Sequence, residues 1–344
     1  MEFVVDILIF DMDGVLIDVS KSYRKVIQQT AHLYLEYGLG MDANLVSTEE
    51  ISLFKSVGGF NNDWDLASGL LLYLLSTSGI PPLRKQKKFS SIEEIVLYLR
   101  LNLSKFHRRK TAQLKGDQLS SFLEKVKTSG GGLRGVRLAL KDSWEGWVYR
   151  SGDLRTENIV KRIFQEIYLG EKFRSYYHLQ PLFYRGKGLY LREKLLIEKG
   201  VLSKLQKRLC LGIATGRPRF EAELALDRFH LRSYFRSLVT LDECEEEEAR
   251  ILRSTGKKIK LSKPHPYSIL RIAKEAGIPN PQCGYVGDVV DDMVAARGAK
   301  KDLSILALGF LRGHRNRKAA KESLIRAGAD WVIESPKELL CFVS

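Results

Sequence analysis

The sequence is poor in cysteine, and this limits the kinds of protein it can be. The four cysteines are far apart, and none belongs to a CxxC pair or to a zinc-ligand pattern. A disulfide-stabilised scaffold and a cysteine-based metal site are therefore excluded. We expect reduced, mostly buried thiols, as in a cytoplasmic protein. These residues are Cys210, Cys244, Cys283 and Cys341.

Long apolar runs are also absent. The most apolar stretch, residues 66–75, contains Ser68 and Gly69 and is shorter than the roughly 20 residues of a membrane-spanning helix. Glu2 and Asp6 interrupt the apolar N-terminus, so it does not have the pattern of a signal peptide. We therefore expect a cytoplasmic protein that does not bind membranes.

Acidic residues are fewer than basic ones, 41 against 56, which gives a formal net charge of +15. Residues 79–135 hold thirteen basic and four acidic residues, so much of the excess is regional. Such a region binds nucleic acid, attracts anionic substrates or forms a solvated face. Few aromatic residues interleave the charges in residues 84–88 and 105–110, and no nucleic-acid module is recognisable. We therefore favour a solvated face and do not expect nucleic acid as a partner.

The order of the predicted elements favours an α/β fold with a parallel sheet. Residues 4–10 form a β-rich apolar run, residues 22–185 are mainly helical, and strands alternate with helices after residue 188. Alternating strands and helices indicate parallel βαβ units. We therefore predict a core formed by residues 1–16 and 187–344, with a mainly helical domain, residues 17–186, inserted after the first strand.

Polar residues follow three of the predicted strands, where ligands bind in open parallel sheets. Three short motifs carry them, and a fourth motif, which contains a lysine, lies just before a predicted helix. The motifs are Asp11-Met-Asp-Gly-Val-Leu, Ala214-Thr-Gly-Arg-Pro, Lys263-Pro-His-Pro and Gly287-Asp-Val-Val-Asp-Asp.

This set of motifs, in this order, resembles the haloacid dehalogenase-like superfamily. The resemblance covers about the first 20 residues and everything after about residue 189. It implies a Rossmann-like three-layer core with a helical cap domain inserted between the first two motifs. Within that superfamily the sequence is similar to the phosphatases, because it has a carboxylate at Asp13, where the dehalogenases have none.

The resemblance implies a catalytic role for each motif. Asp11 would attack phosphorus and form an aspartyl-phosphate, while Asp13 would act as general acid and then as general base. Thr215 would hydrogen-bond a phosphate oxygen, and Lys263 would offset negative charge. The amides of Gly216 and Arg217, at a helix start, would bind phosphate.

A magnesium site is expected among the carboxylates, since Mg²⁺ prefers oxygen ligands and is usually held by a few carboxylates. Asp11, Asp288 and Asp292 fit this requirement by their chemistry. The resemblance adds the backbone carbonyl of Asp13 as a further ligand. Mg²⁺ is thus the expected cofactor.

The segment 55–65 of the insertion has two interpretations. Lys55, Asn61 and Asn62, with a paired glycine and a tryptophan nearby, suit a loop that binds the substrate. The same asparagines also suit an ordinary capped turn before a helix. The sequence does not decide between them.

We therefore expect a Mg²⁺-dependent phosphatase acting on a small phosphorylated metabolite, either a sugar phosphate or a phosphorylated carboxylic acid. A phosphomutase of the same superfamily is the first alternative. A nucleic-acid end-phosphatase using the basic stretch and a non-catalytic binding protein are the others.

Overall fold

The chain forms two compact units in the computed structural model. One consists of Met1–Val19 and Glu193–Ser344, and the other of Ser20–Arg192. The structure describes residues 4–40, 46–60, 62–82, 88–103, 116–141, 148, 152–314 and 316–342. Among the described residues, no helix has both the length and the apolar character needed to cross a membrane.

The first unit is built on a six-stranded parallel sheet with the order β5-β4-β1-β6-β7-β8. The chain adds β4 and β5 on one side of β1 and then β6, β7 and β8 on the other. A small antiparallel ribbon pairs β2 with β3. The strands are β1 (Ile7–Phe10), β2 (Ile17–Asp18), β3 (Lys194–Leu195), β4 (Cys210–Ala214), β5 (Ser237–Val239), β6 (Gln282–Gly287), β7 (Ser304–Phe310) and β8 (Trp331–Ile333).

The second unit is helical. Asparagine side chains cap two of its helices, Asn62 before α3 and Asn158 before α7, and Ser47 forms a capping box with Glu50 before α2. A π-helix, Tyr34–Gly38, continues the first helix. The helices are α1 (Tyr23–Leu33), α2 (Thr48–Ser56), α3 (Asp63–Thr77), α4 (Ile92–Leu103), α5 (Gly116–Thr128), α6 (Gly132–Ala139), α7 (Ile159–Leu169) and α8 (Glu171–Tyr177).

A buried ion pair stabilises this helical unit. Arg162 Nε lies 2.6 Å from Glu166 Oε1, and both side chains are almost fully buried. The Glu166 carboxylate also accepts hydrogen bonds from three consecutive amides, those of residues 182–184. Arg162 donates to the carbonyl of Leu154 and lies over the ring of Phe173. The pair therefore joins α7 to the segments on either side of it.

Helices cover the sheet of the first unit. These are α9 (Lys199–Gln206), α10 (Arg219–Phe229), α11 (Leu241–Thr255), α12 (Tyr267–Ala276), α13 (Val290–Ala299) and α14 (Arg317–Ala327). Ile7 and Ile9 belong to a buried cluster with residues of α12, α13 and α14. Leu8 and Phe10, which point to the opposite face because side chains alternate along a strand, are also fully buried. Both faces of the sheet are covered, which confirms the predicted α/β fold class.

Candidate active site

Three of the predicted motifs meet at one edge of the sheet. Asp11 follows β1, Thr215 follows β4 and Asp288 follows β6, and β1 lies between the other two strands. The pairing of β1 with β6 extends one residue past the end of β1, since the Asp11 amide donates to the Val286 carbonyl at 2.8 Å. These residues therefore lie at the carboxyl ends of adjacent central strands, where the direction of strand addition changes and ligands bind in such sheets.

Lys263 links the first and last motifs. Its Nζ lies 2.7 Å from Asp11 Oδ1 and 2.7 Å from Asp292 Oδ1. The Asp11 and Asp292 carboxylates are buried, and the lysine side chain is 15 % exposed. One cation thus holds two buried carboxylates beside each other.

Burial dominates the ionisation of Asp11. Removal from solvent raises the pKa of Asp11 from 3.8 to about 7; Lys263 opposes the rise, and the charges of Asp292 and Asp13 add to it. Burial also acts to lower the pKa of Lys263. The carboxylates of Asp11 and Asp292 outweigh that effect, so the pKa of Lys263 lies well above its ordinary value. Lys263 is therefore a cation throughout the physiological pH range.

Asp292 is held by four hydrogen bonds. Its Oδ1 accepts from Lys263 Nζ at 2.7 Å and from the Tyr285 hydroxyl at 2.8 Å. Its Oδ2 accepts from the amides of Asp288 and Val289 at 3.1 and 3.2 Å. A carboxylate offers about four lone-pair positions, and these bonds use all four. Asp292 therefore fixes both Lys263 and the turn from β6 into α13.

Two glycines allow the carboxylates to approach the backbone closely. A Cβ on Gly14, which has φ +78°, would lie 2.0 Å from Asp288 Oδ2. A Cβ on Gly287 would lie 2.2 Å from the Cβ of Asp292. Any side chain at either position would displace an acidic side chain of the site.

The carboxylates fit a divalent metal ion by their chemistry. Oxygens of Asp11, Asp288 and Asp292 all lie within 4.8 Å of one another, and oxygen-only donor sets of this kind suit Mg²⁺. Because all four lone-pair positions of Asp292 accept hydrogen bonds, direct ligation by Asp292 would have to replace one of these bonds. Ligation by Asp11, Asp288 and Asp292 and by the Asp13 carbonyl stays a prediction.

The motif after β4 forms a tight turn. Thr215 is 3 % exposed, and its Oγ1 accepts a hydrogen bond from the Arg217 amide at 3.2 Å. Gly216 is half-buried, and α10 begins only at Arg219. The turn therefore precedes the helix by two residues, and the Arg217 amide already has a partner within the motif.

The Arg217 side chain makes contacts that the motif did not predict. It is buried, and its Nε and Nη2 lie 2.7 and 2.6 Å from Asp13 Oδ1. Its Nη2 also lies 3.0 Å from Oε1 of the buried Glu193. Glu193 carries no motif and comes 24 residues before Arg217, so no local signal in the sequence pointed to it.

Two further residues near the carboxylates were missed. Tyr285 donates to Asp292, and it lies two residues before Gly287 on β6, where strand alternation could have suggested it. His314 Nε2 lies 2.8 Å from the backbone carbonyl of Asp288. His314 follows β7 and has no motif of its own, so its position depends on the folded sheet.

The helical unit gives the segment 55–65 a structural role. The Asn62 side chain accepts from the Asp65 amide at 2.8 Å and caps α3, as the capped-turn interpretation requires. Lys55 Nζ lies 3.6 Å from Asp63 Oδ1, with both residues in this unit. Asn61 lies outside the described residues, as do residues 105–110 and 84–87 of the basic stretch. Substrate contacts by Lys55, Asn61 and Asn62 stay predictions.

Comparison with known proteins supports the resemblance that the motifs suggested. A family model described as haloacid dehalogenase-like hydrolase matches residues 137–300, a range that contains Thr215, Lys263, Asp288 and Asp292. Over this range the chain is similar to the haloacid dehalogenase-like hydrolases. The resemblance inferred from the four motifs is thereby confirmed, although Asp11 and Asp13 lie outside the matched range.

Curated relatives match this chain in part. An imidazoleglycerol-phosphate dehydratase from Phytophthora nicotianae is 25 % identical over 86 % of this chain and 42 % of its own length. A phosphoglycolate phosphatase from Xylella fastidiosa is 31 % identical over 36 % of this chain and 45 % of its own length. A phosphoglycolate phosphatase from Xanthomonas campestris is 28 % identical over 40 % of this chain and 53 % of its own length. The chain thus spans about half the length, or less, of the curated relatives it matches.

Solved structures support the same fold over almost the whole chain. An X-ray structure of a target of the Northeast Structural Genomics Consortium has a TM-score of 0.62, 19 % identity, and coverage of 97 % of both chains. A phosphatase from Thermococcus thioreducens has a TM-score of 0.53 and 20 % identity, covering 93 % of this chain and 99 % of its own. At these identities the likeness establishes the fold alone.

Proposed function

We propose that this chain is a Mg²⁺-dependent phosphoric monoester hydrolase that acts on a small phosphorylated metabolite. The observation that carries the proposal is the contact of Asp11 with Lys263, at 2.7 Å, beside Asp288 and Asp292. This contact supports the proposal because a carboxylate that can act as nucleophile, a cation and two further acids lie together at one edge of the sheet. Catalysis of phosphoryl transfer consists largely of such positioning and charge neutralisation.

Each residue has a defined task in the proposed reaction. The Asp11 carboxylate attacks phosphorus in line and forms an aspartyl-phosphate, while Asp13 donates a proton to the leaving oxygen. Asp13 then takes a proton from the water that hydrolyses this intermediate. Lys263 stabilises the negative charge that accompanies both steps, and the Thr215 hydroxyl donates to a phosphate oxygen. Bound Mg²⁺ supplies further charge neutralisation for the phosphate oxygens.

The proposal extends to the substrate and to the helical unit. Four relatives carry the name phosphoglycolate phosphatase, which supports a phosphorylated carboxylic acid as the first substrate to test. The helical segment 17–186 is proposed as the cap that selects this substrate, because the family's cap is inserted after the first motif. A cytoplasmic location is part of the same proposal.

The test is a screen of phosphorylated metabolites, including 2-phosphoglycolate and sugar phosphates, with release of inorganic phosphate as the readout. Wild type should release phosphate only with Mg²⁺, and Asp11→Asn should be inactive because an amide is a poor nucleophile. Asp6→Asn is the matched control, since Asp6 is an exposed acid just before the start of the same strand. Full activity of Asp11→Asn would refute the mechanism.

The phosphomutase alternative uses the same core but transfers the phosphoryl group to a substrate hydroxyl instead of water. Following ³¹P resonances of the substrate separates the two reactions. A phosphatase accumulates inorganic phosphate, whereas a mutase accumulates an isomer of the substrate. Accumulation of an isomer without inorganic phosphate would favour the mutase.

A nucleic-acid substrate would instead require the basic stretch. Each phosphate contact adds to the salt dependence of binding, so an end-phosphatase would show affinity for oligonucleotides that falls steeply with salt. We expect weak oligonucleotide binding that is lost at physiological salt. Neutralising four basic residues together should change turnover of the best small substrate by less than about tenfold. The four residues are Lys105, Arg108, Arg109 and Lys110.

A further inference from the structure

Arg217 contacts the proposed acid–base residue in a geometry that leaves little freedom. Both of its donors to Asp13, Nε at 2.7 Å and Nη2 at 2.6 Å, point at the same oxygen, Oδ1. The Arg217 side chain is 1 % exposed, whereas that of Asp13 is 23 % exposed. Arginine therefore holds one oxygen of the Asp13 carboxylate from the buried side and leaves Oδ2 out of the contact.

Glu193 holds the arginine in turn. Its Oε1 lies 3.0 Å from Arg217 Nη2 and its Oε2 lies 3.5 Å from Nη1, and its own side chain is 1 % exposed. The planar guanidinium matches two carboxylates in a fixed orientation, which the single ammonium of lysine cannot do. The Arg228 guanidinium donates to the Glu193 backbone carbonyl at 3.1 Å and anchors the residue further.

We infer that Arg217 and Glu193 are positioning residues for proton transfer by Asp13. Their row, Glu193–Arg217–Asp13, fixes the Asp13 carboxylate through Oδ1 and leaves Oδ2 to donate a proton to the leaving oxygen. This inference rests on the proposed phosphatase function. It assigns a task to the Arg217 side chain, whereas the motif suggested a role only for the Arg217 amide.

The inference makes a specific claim about leaving groups. A nitrophenolate leaves as a stable anion and needs little protonation, whereas the alkoxide of an alkyl phosphate needs a proton. A correctly placed general acid contributes roughly 10²- to 10⁴-fold. Loss of Arg217 should therefore damage hydrolysis of an alkyl phosphate far more than hydrolysis of an activated aryl phosphate.

The experiment compares kcat and KM of Arg217→Met on 2-phosphoglycolate and on p-nitrophenyl phosphate. We expect kcat to fall on the order of 100-fold for the alkyl phosphate and by less than about tenfold for the aryl phosphate, with KM little changed. Arg217→Lys should recover only part of the loss. Arg219→Met is the matched control, because Arg219 pairs with Glu243 and Glu223 and not with Asp13.

A second variant keeps the test decisive if Arg217→Met does not fold. Glu193→Gln retains an oxygen that can accept from Arg217, so it should fold and show the same leaving-group selectivity with a smaller loss. In the background of Asp13→Asn, neither change should add a further selective loss, because the group being positioned has been removed.

Equal proportional losses on both substrates, or losses that add to that of Asp13→Asn, would overturn the inference. Either result would mean that Arg217 and Glu193 support folding or binding in general. If wild type hydrolyses neither substrate, and no other phosphate monoester, the proposed function itself fails. The two failures are therefore distinguishable.

Discussion

The buried Asp11 carboxylate should lower the stability of the metal-free protein at alkaline pH. Its pKa is raised from 3.8 to about 7. Between these pH values the folded state binds more protons than the unfolded state, so the free energy of unfolding falls as pH rises. The contribution of protonated Asp11 to the free energy of unfolding is fully present below about pH 4 and is lost above about pH 7. At about 1.4 kcal/mol for each pH unit, the loss amounts to about 4 kcal/mol.

Asp11→Asn removes this charge while retaining the size of the side chain and an oxygen that can accept from Lys263. With Mg²⁺ chelated, the variant should therefore be more stable than wild type by up to about 4 kcal/mol at pH 8.5 or so. At about pH 5 the difference should be less than half of that, because wild-type Asp11 is then mostly protonated. The variant should be inactive under all conditions.

Urea unfolding followed by circular dichroism measures this difference. Saturating Mg²⁺ should stabilise wild type at alkaline pH and reduce the advantage of the variant, because a ligand stabilises the state that binds it. Asp6→Asn again serves as the control; because it retains Asp11, it should keep the pH dependence of wild type. If Asp11→Asn is no more stable than wild type in chelator at alkaline pH, the reasoning about burial at Asp11 is refuted.

Two other predictions follow from buried cations. Lys263→Met should lower kcat by roughly 10²- to 10³-fold, because one preorganised positive group is lost. Lys260→Met, which removes an exposed pair with Glu248, is the control and should leave kcat unchanged. Comparable kcat values for the two variants would contradict this prediction. Arg162→Met should lower the free energy of unfolding of the helical unit by about 3–5 kcal/mol in urea titrations, because it leaves Glu166 without its buried cation. A loss of less than about 1 kcal/mol would contradict this prediction.

The site was predictable where its residues directly follow strands. Asp11, Thr215 and Asp288 each lie just after a strand in the sequence, so a parallel sheet brings them to one edge whatever the details of packing. Lys263 was predictable as a member of the site from the motif. Its simultaneous contact with Asp11 and Asp292 required the folded arrangement of the chain before α12 and α13.

The parts that were missed depend on contacts between distant segments or on very short elements. Glu193 meets Arg217 only in the folded unit, and His314 meets Asp288 only because β7 lies beside β6. The β2–β3 ribbon has two residues in each strand, too few for the alternation of side chains to reveal it. Asn62 was noticed in the sequence but its role was ambiguous, because an asparagine suits a helix cap and a substrate-binding loop equally well.

The arrangement of charges also predicts how the site binds phosphate. Asp11 is the proposed nucleophile, yet its anionic carboxylate must come close to a phosphorus atom that carries anionic oxygens. Lys263 is already shared between Asp11 and Asp292, so it cannot by itself offset the charge of an incoming phosphate.

Inorganic phosphate should therefore bind wild type in calorimetric titrations with Mg²⁺ and bind far more weakly in chelator. Asp11→Asn, which removes one of the repelling charges, should show a smaller dependence on Mg²⁺. The dependence should also weaken in wild type below about pH 7, since the raised pKa of Asp11 leaves the carboxyl neutral there. Equal phosphate affinity with and without Mg²⁺ at alkaline pH would show that the carboxylates do not need a metal ion to receive an anion.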